Sequence, residues 1–393
     1  MINLQSLKVT VQNVDIAPMV LSLTMFETIK GNVRGSLSVQ DNVNFMDNFI
    51  PSSSHAPIQI QWQYESYMFT NEFYIDGIEK MEIVKTGKKY QIHFLAYTTM
   101  NSQLKKINGS YSGRGDEIIH QIFRETNPVL KNATLFRDSR SITKGRYVVP
   151  NIKAVEALTN VVNSCYDNEK TPLMMYQRVA DEGATRLTSL GDMDKNEFGI
   201  TETTGFYSNT TTFTLKASLA GAGEADGIDV RDEIGTVGQF VMDEFNTNYT
   251  AKLASGFYGS KIQQIGLDET STKDLPTAEL TDVALTSFKL QNSLYDDDVK
   301  SVFSTVCEPE AHAAYNQKRR IFNMRMSAMG TVAVPGLSCG FSIATDSGGS
   351  NRSSSKTDAK YIIASIQHRF VMDDGKFAYA QDISLIRDGT GDV

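Results

Sequence analysis

The chain is poor in cysteine and proline and has no long apolar run. Its 393 residues include three cysteines and nine prolines. Cys165, Cys307 and Cys339 lie far apart, with no C-x-x-C pair, so neither a disulfide framework nor a thiolate metal site is predicted. No apolar run approaches the roughly 20 residues that span a bilayer, and residues 1–10 lack signal-peptide blocks. We therefore expect assembly in a cytoplasm and no insertion into a membrane.

Basic residues are in deficit. The chain has 46 acidic and 38 basic residues and a formal charge of -8. Sequence-independent binding to a phosphate backbone needs a net basic surface, so tight nucleic-acid binding is not expected. Hydrophobic residues make up 40% and charged residues 21%, which excludes a disordered chain, a collagen and a coiled coil. Because single cores stop growing at roughly 250–300 residues, this length predicts two or more domains.

No motif supports catalysis, a cofactor or a metal ion. The five histidines are solitary, with no H-E-x-x-H pattern. Residues 336–340 fit G-x-S-x-G, but a nucleophile elbow needs a strand, a strained turn and a helix, whereas this segment predicts a turn followed by a strand. Ser338, Asp358 and His368 would have to form a triad on adjacent strands, an unusual layout for that fold. We predict that the protein is not an enzyme.

Strand patterns dominate both ends of the chain. Residues 58–65 alternate apolar and polar side chains without a fault, and residues 324–334 repeat the pattern. Near the C-terminus, residues 361–370 and 376–387 flank an Asp-Gly pair, which predicts a tight hairpin. A similar layout lies earlier, because Tyr74 precedes Gly87 by 13 residues and Tyr361 precedes Gly375 by 14. The two hairpins suggest a duplicated β-domain.

Helical patterns are confined to the middle of the chain. Asp116 is predicted to cap a helix over residues 117–125, whose apolar face holds Ile118, Ile119, Ile122 and Phe123. Asn151 is predicted to cap a second helix over residues 152–166. A third, weakly amphipathic helix is predicted over residues 308–320. This helical material separates the two copies of the β-domain.

This arrangement resembles the central baseplate hub proteins of contractile-tailed bacteriophages, whose relatives include the hub part of type VI secretion spike proteins. The similarity covers nearly the whole chain and depends on order and size more than on any one motif. The segments that carry it are residues 31–41, 73–102, 114–124, 257–260, 325–336 and 361–388.

The resemblance implies a β-rich α+β fold, in which two related antiparallel β-barrel domains of the tail-tube type carry smaller outer α/β domains. The first barrel is expected at residues 1–107 and an outer α/β domain at 108–195. The second barrel is expected in two parts, 196–245 and 309–393, the latter including the C-terminal tail. An outer insertion is expected between them at 246–308.

The resemblance further implies a homotrimer in the tail baseplate of a virion. Such a hub connects the spike protein to the tail tube, adapts threefold to sixfold symmetry and forms part of the DNA-ejection channel. The implied partners are the spike, the tube or tube-initiator protein, the tape-measure protein and the baseplate wedge proteins. DNA would pass without sequence-specific binding, and the acidic balance of the chain suits such a conduit.

Polar residues of the predicted tube strands are candidates for the channel wall or for contacts between subunits. They are Arg34, Ser36, Ser38, Gln40, Arg325, Ser327, Gln367 and Arg369. The three arginines would make such a wall less than uniformly acidic, unless they pair with acids of neighbouring subunits. Two other functions remain open: a tail-associated cell-wall hydrolase, and a tail-tube or tube-initiator subunit, a class that is usually shorter and has one tube barrel.

Overall fold

A computed structural model of the chain describes most of the N-terminal half and separate segments of the rest. The described residues are 2–4, 6–46, 56–64, 67–84, 87–127, 134–169, 171–195, 212–217, 237–242, 259–265, 270–274, 285–290, 322–328, 333–345, 359–373 and 375–387. The predicted helix at residues 308–320 lies outside them, as do most of residues 196–308.

Strands form most of the described chain, with α-helices in the middle and two short 3-10 helices at Ala17–Met19 and Val179–Asp181. The first strands are β1 (Ile2–Asn3), β2 (Ser6–Val11), β3 (Val14–Asp15), β4 (Val20–Thr28), β5 (Arg34–Asp41), β6 (Pro57–Tyr64), β7 (Tyr67–Val84), β8 (Gly87–Ala96), β9 (Lys106–Arg114), β10 (Leu135–Arg137), β11 (Lys144–Lys153), β12 (Leu173–Gln177) and β13 (Thr185–Ser189). The later strands are β14 (Thr212–Ala217), β15 (Val237–Met242), β16 (Gly259–Ile265), β17 (Thr270–Asp274), β18 (Leu285–Leu290), β19 (Phe322–Ala328), β20 (Ser338–Thr345), β21 (Ala359–Asp373) and β22 (Lys376–Arg387). The helices are α1 (Tyr97–Leu104), α2 (Gly115–Thr126), α3 (Ala154–Asn163) and α4 (Leu190–Lys195).

One 14-stranded sheet organises the described part of the chain. Its main path runs β15-β19-β22-β21-β4-β5-β8-β7-β6-β2-β3, while β1 joins β22, and β20 joins both β21 and β14. All its pairs are antiparallel except β14 with β20. The β-rich, largely antiparallel fold class predicted from the sequence is therefore confirmed.

The alternating segments form strands because one face of the sheet is buried. In β6, Ile58, Ile60 and Trp62 are fully buried, while Gln59 between the first two is exposed. At the other end of the chain the prediction was too long. Strand β19 ends at Ala328, and Val334 lies outside any strand, just before the turn at residues 335–336.

Both predicted hairpins are present. Strand β7 pairs with β8 around Gly87, and β21 pairs with β22 around Gly375. Both glycines have positive φ angles, of 144° and 77°, which L-residues with a side chain rarely adopt. The two hairpins are separated in sequence by the helical region, as expected.

The pairing of β4 with β21 joins the two ends of the chain within one sheet. Strands of both predicted barrels therefore lie side by side in a continuous structure. Their buried faces share one core, which includes Leu37, Ile92, Trp62, Ile366 and Phe370. The domain boundaries proposed above stay predictions.

The helices cover a separate, smaller core. Strands β9 and β11 form a two-stranded ribbon that packs with α2 and α3, and β10, β13 and β12 form a second small sheet. Strands β17, β16 and β18 form another sheet. The predicted apolar face of α2 is confirmed, since its four named residues are all buried.

Both helix starts differ from the prediction. Helix α2 begins two residues earlier, at Gly115, because the backbone N–H of Arg114 bonds to the Glu117 carboxylate. Asp116 is therefore not the N-cap but a buried first-turn residue that accepts hydrogen bonds from Arg114 and from the Ser141 backbone. Asn151 is not a cap either. It has a φ of 52° at a bulge in β11, and α3 begins only at residue 154.

Candidate functional site

The candidate site is the polar face of the large sheet. In β5, Arg34, Ser36, Ser38 and Gln40 are partly or fully exposed, while Leu37 and Val39 between them are buried. The strand period of two places these four side chains on the same side of the sheet. This is the face opposite the main core.

Strand β21 repeats this alternation in the second half of the chain. Gln367 and Arg369 are partly exposed, whereas Ile366, His368 and Phe370 are buried. The predicted candidates of β21 therefore also lie on the face away from the core.

Strand β4 brings the two groups of candidates together. It lies between β5 and β21, so each of its outward residues has one candidate on either side. Ser36 and Arg369 flank Thr24, and Arg34 and Gln367 flank Phe26. Because directly paired residues in a sheet point to the same side, these candidates share one surface.

The register of β22 extends this surface to the last two candidates. Asp382 is paired with Gln367 on one side and with Ser327 on the other. Ser384, two residues further along β22, is paired with Ser365 on one side and with Arg325 on the other. All eight candidate positions therefore belong to one face, although they come from segments nearly 300 residues apart.

The described charges on this face are mostly paired. Arg369 forms two contacts with Asp382, at 2.7 and 2.8 Å. Arg34 has no acid among its described contacts, and its guanidinium lies 5.5 Å from the centre of the Phe26 ring. The expected pairing with acids of neighbouring subunits is therefore unnecessary for Arg369, whose partner is in its own chain.

The remaining charges lie on the next two strands. His93 is 3.7 Å from Glu79, and Lys89 is 3.5 Å from Glu82. Serine and threonine residues occupy many of the strand positions between the charged residues. They are Ser22, Thr24, Thr28, Ser36, Ser38, Ser365 and Ser384. The surface is rich in hydroxyl groups and close to charge balance over the described residues, rather than strongly acidic.

A buried polar network lies behind this face, and no sequence motif singled out its central residue. Glu27 is fully buried, and its carboxylate is 2.9 Å from the His368 Nε2 and accepts the backbone N–H of Val179 at 2.8 Å. The other His368 nitrogen is 2.9 Å from the Tyr379 hydroxyl. His368 is thus the hydrogen-bonded structural histidine that its strand position favours.

Glu27 could have been found from the sequence. It occupies a core-facing position of β4, following Leu23 and Met25 at intervals of two, and a carboxylate there requires buried partners. Those partners come from distant segments, so the sequence does not identify them. The network joins β4, β21 and β22 to the short 3-10 helix Val179–Asp181.

The residues before that helix fix the smaller α/β unit to the sheet. The Gln177 side chain accepts the backbone N–H of Val33 at 3.2 Å. Arg178 donates to the Pro335 carbonyl at 2.8 Å and to the Tyr176 hydroxyl at 3.1 Å. These groups are buried, so the segment acts as a rigid connection between both halves of the sheet and the α/β unit.

The G-x-S-x-G segment does not form a nucleophile elbow. Ser338 is fully buried and begins β20 directly after the turn, as the sequence predicted. His368 is held by Glu27 and Tyr379, and Asp358 lies outside the described residues. The arrangement therefore has no strand, turn and helix in the order that the elbow needs.

Within the described ranges, no three His, Cys, Asp or Glu side chains are grouped in a way that could hold a metal ion. None of the described helices is long and apolar enough to cross a membrane. Burial raises the pKa of the Cys339 thiol well above its usual value, which makes it a poor nucleophile or ligand.

No protein-family model matches the sequence, and no curated protein matches it. Two solved structures are similar over nearly their full length. The tail protein from Neisseria meningitidis MC58 has a TM-score of 0.59 and 10% identity, with 98% of this chain and 96% of that chain covered. The 43 kDa tail protein of prophage MuSo2 from Shewanella oneidensis has a TM-score of 0.57 and 10% identity, with 97% and 98% covered. The chain therefore has the fold of phage tail proteins.

Proposed function

We propose that the protein is a structural component of a phage tail baseplate, namely its trimeric central hub, rather than an enzyme. The observation that carries this proposal is the shared fold, which spans 98% of this chain and 96% of a tail protein. At 10% identity the likeness concerns the fold, so the function follows from combining it with the arrangement of the sheet.

The sheet suits a symmetry adapter. Each chain has two similar hairpins, β7–β8 and β21–β22, in one sheet joined by β4 and β21. Three chains would supply six such hairpins around a ring. A ring of this kind can match a sixfold tail tube on one side and a threefold spike on the other. Ring closure also removes exposed sheet edges, which otherwise invite aggregation.

The part of the polar face that β4, β5, β19, β21 and β22 form suits the wall of a DNA-ejection channel. Eight candidate positions from both halves of the chain share it, and its hydroxyl groups carry no formal charge. The Arg369 guanidinium is neutralised by Asp382, so it offers little attraction to phosphate. DNA could therefore slide past this surface without sequence-specific binding. The sequence predicted weak DNA binding because of acidic repulsion. On this face the reason would instead be the near balance of positive and negative charges.

In this role the partners are the spike protein, the tube or tube-initiator protein, the tape-measure protein and the baseplate wedge proteins. The location is the tail baseplate of the virion, after assembly in the host cytoplasm. The buried connection around Arg178 and Glu27 would transmit load between the ring and the outer α/β unit.

Electron microscopy of the purified full chain tests the proposal. We expect ring-shaped particles with threefold symmetry and a central hole, and a mass of three chains by light scattering. A reconstruction should place Ser36, Ser38 and Gln367 on the wall of the hole. Particles that stay monomeric at all concentrations and with the cognate spike, or rings with the polar face outside, would contradict it.

A further inference from the structure

The ribbon of β9 and β11 is basic in a chain that is acidic overall. Its two strands contain five cationic residues and no acidic residue, whereas the whole chain has a formal charge of -8. The cations are Lys106, Arg114, Lys144, Arg146 and Lys153. The pairing register and the alternating burial place all five on the same side of the ribbon, although the Arg114 guanidinium, at the ribbon end, reaches the first turn of α2.

The ribbon places like charges directly opposite each other at both of its ends. Lys106 is paired with Lys153, and Arg114 is paired with Lys144. Like charges at directly opposed positions destabilise a sheet. Arg114 is neutralised by Asp116 and Glu117, but the other four cations form no ion pair among the described residues. The pKa of the Glu117 carboxyl is lowered by the hydrogen bond from the Arg114 backbone and also by the nearby Lys144, so the Arg114 end of the ribbon is compensated within the chain. The Lys106 and Lys153 end has no such acid, which points to an external anionic partner there.

A complementary surface lies on the long strand β7 of the same chain, on the same side of the sheet as the candidate positions but two strands beyond β5. Four acidic residues, Glu72, Asp76, Glu79 and Glu82, are exposed along it, with one lysine, Lys80, in the same strand. Glu72 and Asp76 form no ion pair among the described residues, and the pairs of the other two are solvent-exposed contacts longer than 3.4 Å. Exposed pairs of this kind contribute little and are easily exchanged for others.

The two surfaces also match in length. At about 3.3 Å per residue, the cations from Lys106 to Arg114 extend over about 26 Å. The acids from Glu72 to Glu82 extend over about 33 Å by the same measure. Two bulges, near Gly77 and Glu82, interrupt the pairing of β7 with β8, and such bulges bend a strand and twist it locally.

We propose that the basic ribbon binds the acidic strand β7 of a second copy of this chain. Different patches meet in such a contact, so it is heterologous and generates either a closed ring or an open filament. The proposal deepens the proposed function, since it assigns the contact that would close the hub trimer. Val148, 54% exposed in the middle of the ribbon, adds an apolar group to the centre of the contact.

A protein partner fits the ribbon better than nucleic acid does. The described outward face of the ribbon has no aromatic side chain on which a base could stack, because Tyr111 and Tyr147 are buried on the other side. The acidic remainder of the chain would also repel a phosphate backbone. Self-association requires only surfaces that the chain itself supplies.

The test is analytical ultracentrifugation of the full chain with charge-reversal variants. The ribbon variant is Lys144→Glu/Lys153→Glu, and the strand variant is Glu72→Lys/Asp76→Lys. We expect each to weaken association by about tenfold or more, because attractions across the contact become repulsions. Combining all four substitutions should recover part of the affinity. If the two surfaces did not meet, the affinity losses of the two variants would add instead.

The ribbon variant separates assembly from folding. It converts both like-charged pairs of the ribbon into oppositely charged ones, which offsets the new repulsion between a carboxylate at position 144 and Glu117, so its thermal midpoint should stay close to that of the wild type. A matched control, Lys8→Glu/Lys376→Glu, makes the same change of charge at exposed positions outside both surfaces and should leave association unchanged. Raising the salt concentration should weaken the association of the wild type and of the control variant to the same extent.

The outcomes distinguish this contact from the proposed ring. A wild-type trimer that neither variant weakens, or losses that simply add in the combined variant, would overturn the contact but not the ring. If the wild type forms open filaments and the ribbon substitutions break them up, the contact would be supported and the ring contradicted. Binding of a 24-base-pair DNA duplex by the wild type but not by the ribbon variant would show that the ribbon serves nucleic acid, and would overturn the proposal.

Discussion

Replacement of Gly336 by alanine tests the connection between the α/β unit and the sheet. Gly336 has a φ of 77°, and a Cβ atom added there would lie 2.1 Å from the hydroxyl oxygen of Tyr176. Tyr176 is fully buried, and its hydroxyl accepts a hydrogen bond from Arg178. The tyrosine cannot move aside without breaking that bond. Gly375 provides a control, because it has the same φ and no atom within 4 Å of the added Cβ.

The two substitutions should differ only by the effect of the clash with Tyr176, which breaks its hydrogen bond with Arg178. A left-handed backbone costs a residue with a side chain roughly 1–2 kcal/mol, and this cost applies to both positions. Loss of a hydrogen bond to a charged group adds about 1.5–3 kcal/mol at Gly336 only. We therefore expect a loss of about 2.5–5 kcal/mol in the free energy of unfolding for Gly336→Ala and about 1–2 kcal/mol for Gly375→Ala.

Urea unfolding followed by tryptophan fluorescence measures both losses. The chain has one tryptophan, Trp62, which is fully buried and stacked on Phe69 at 4.8 Å, so its emission reports on the sheet core. The slope of the transition must stay the same between variants for the midpoints to be compared. Equal losses at the two glycines would refute the reasoning, since the contact with Tyr176 would then have no energetic effect.

Three further predictions concern buried or bonded polar groups. Glu27→Gln should lower the free energy of unfolding by about 1–3 kcal/mol in urea melts, because the single amide oxygen can accept from Val179 only, and the amide NH2 then faces the His368 Nε2, which must act as an acceptor. Burial and the Glu125 carboxylate raise the pKa of Tyr111 to about 12. The contribution of Tyr111 to the free energy of unfolding should therefore be fully present below pH 10 and be lost as the pH rises towards 12. Tyr111→Phe should remove that dependence from pH-dependent melts. With the other two cysteines replaced by serine, Cys339 should react with a thiol reagent only when the protein unfolds, since it is 2% exposed.

Local patterns were enough for the strands and hairpins. Alternation in β6 requires only that one face be buried, and the Asp-Gly turn before Lys376 requires only a positive φ. The helix starts were less predictable. The Asp116 carboxylate does cap a group, but that group is the Ser141 backbone N–H, which no local pattern contains. A cap of this kind depends on tertiary contacts.

The polar candidates illustrate the same division. Their alternation in β5 and β21 identified them as one side of two separate strands. That they form one surface depends on the pairing of β4 with β21, more than 300 residues apart in sequence. The Arg369 contact with Asp382 likewise follows from the register of the C-terminal hairpin, and it changes the charge expected for the surface.

The sequence by itself therefore determined the class of the fold, the duplicated hairpins and which strand positions are polar, because these depend on periodicity and turn chemistry within short segments. Tertiary structure alone decided that both halves share one sheet, that Glu27 has buried partners, and that the ribbon of β9 and β11 collects its cations on one face. Register and long-range pairing set these features, and they arise from the packing of segments that are distant in the chain.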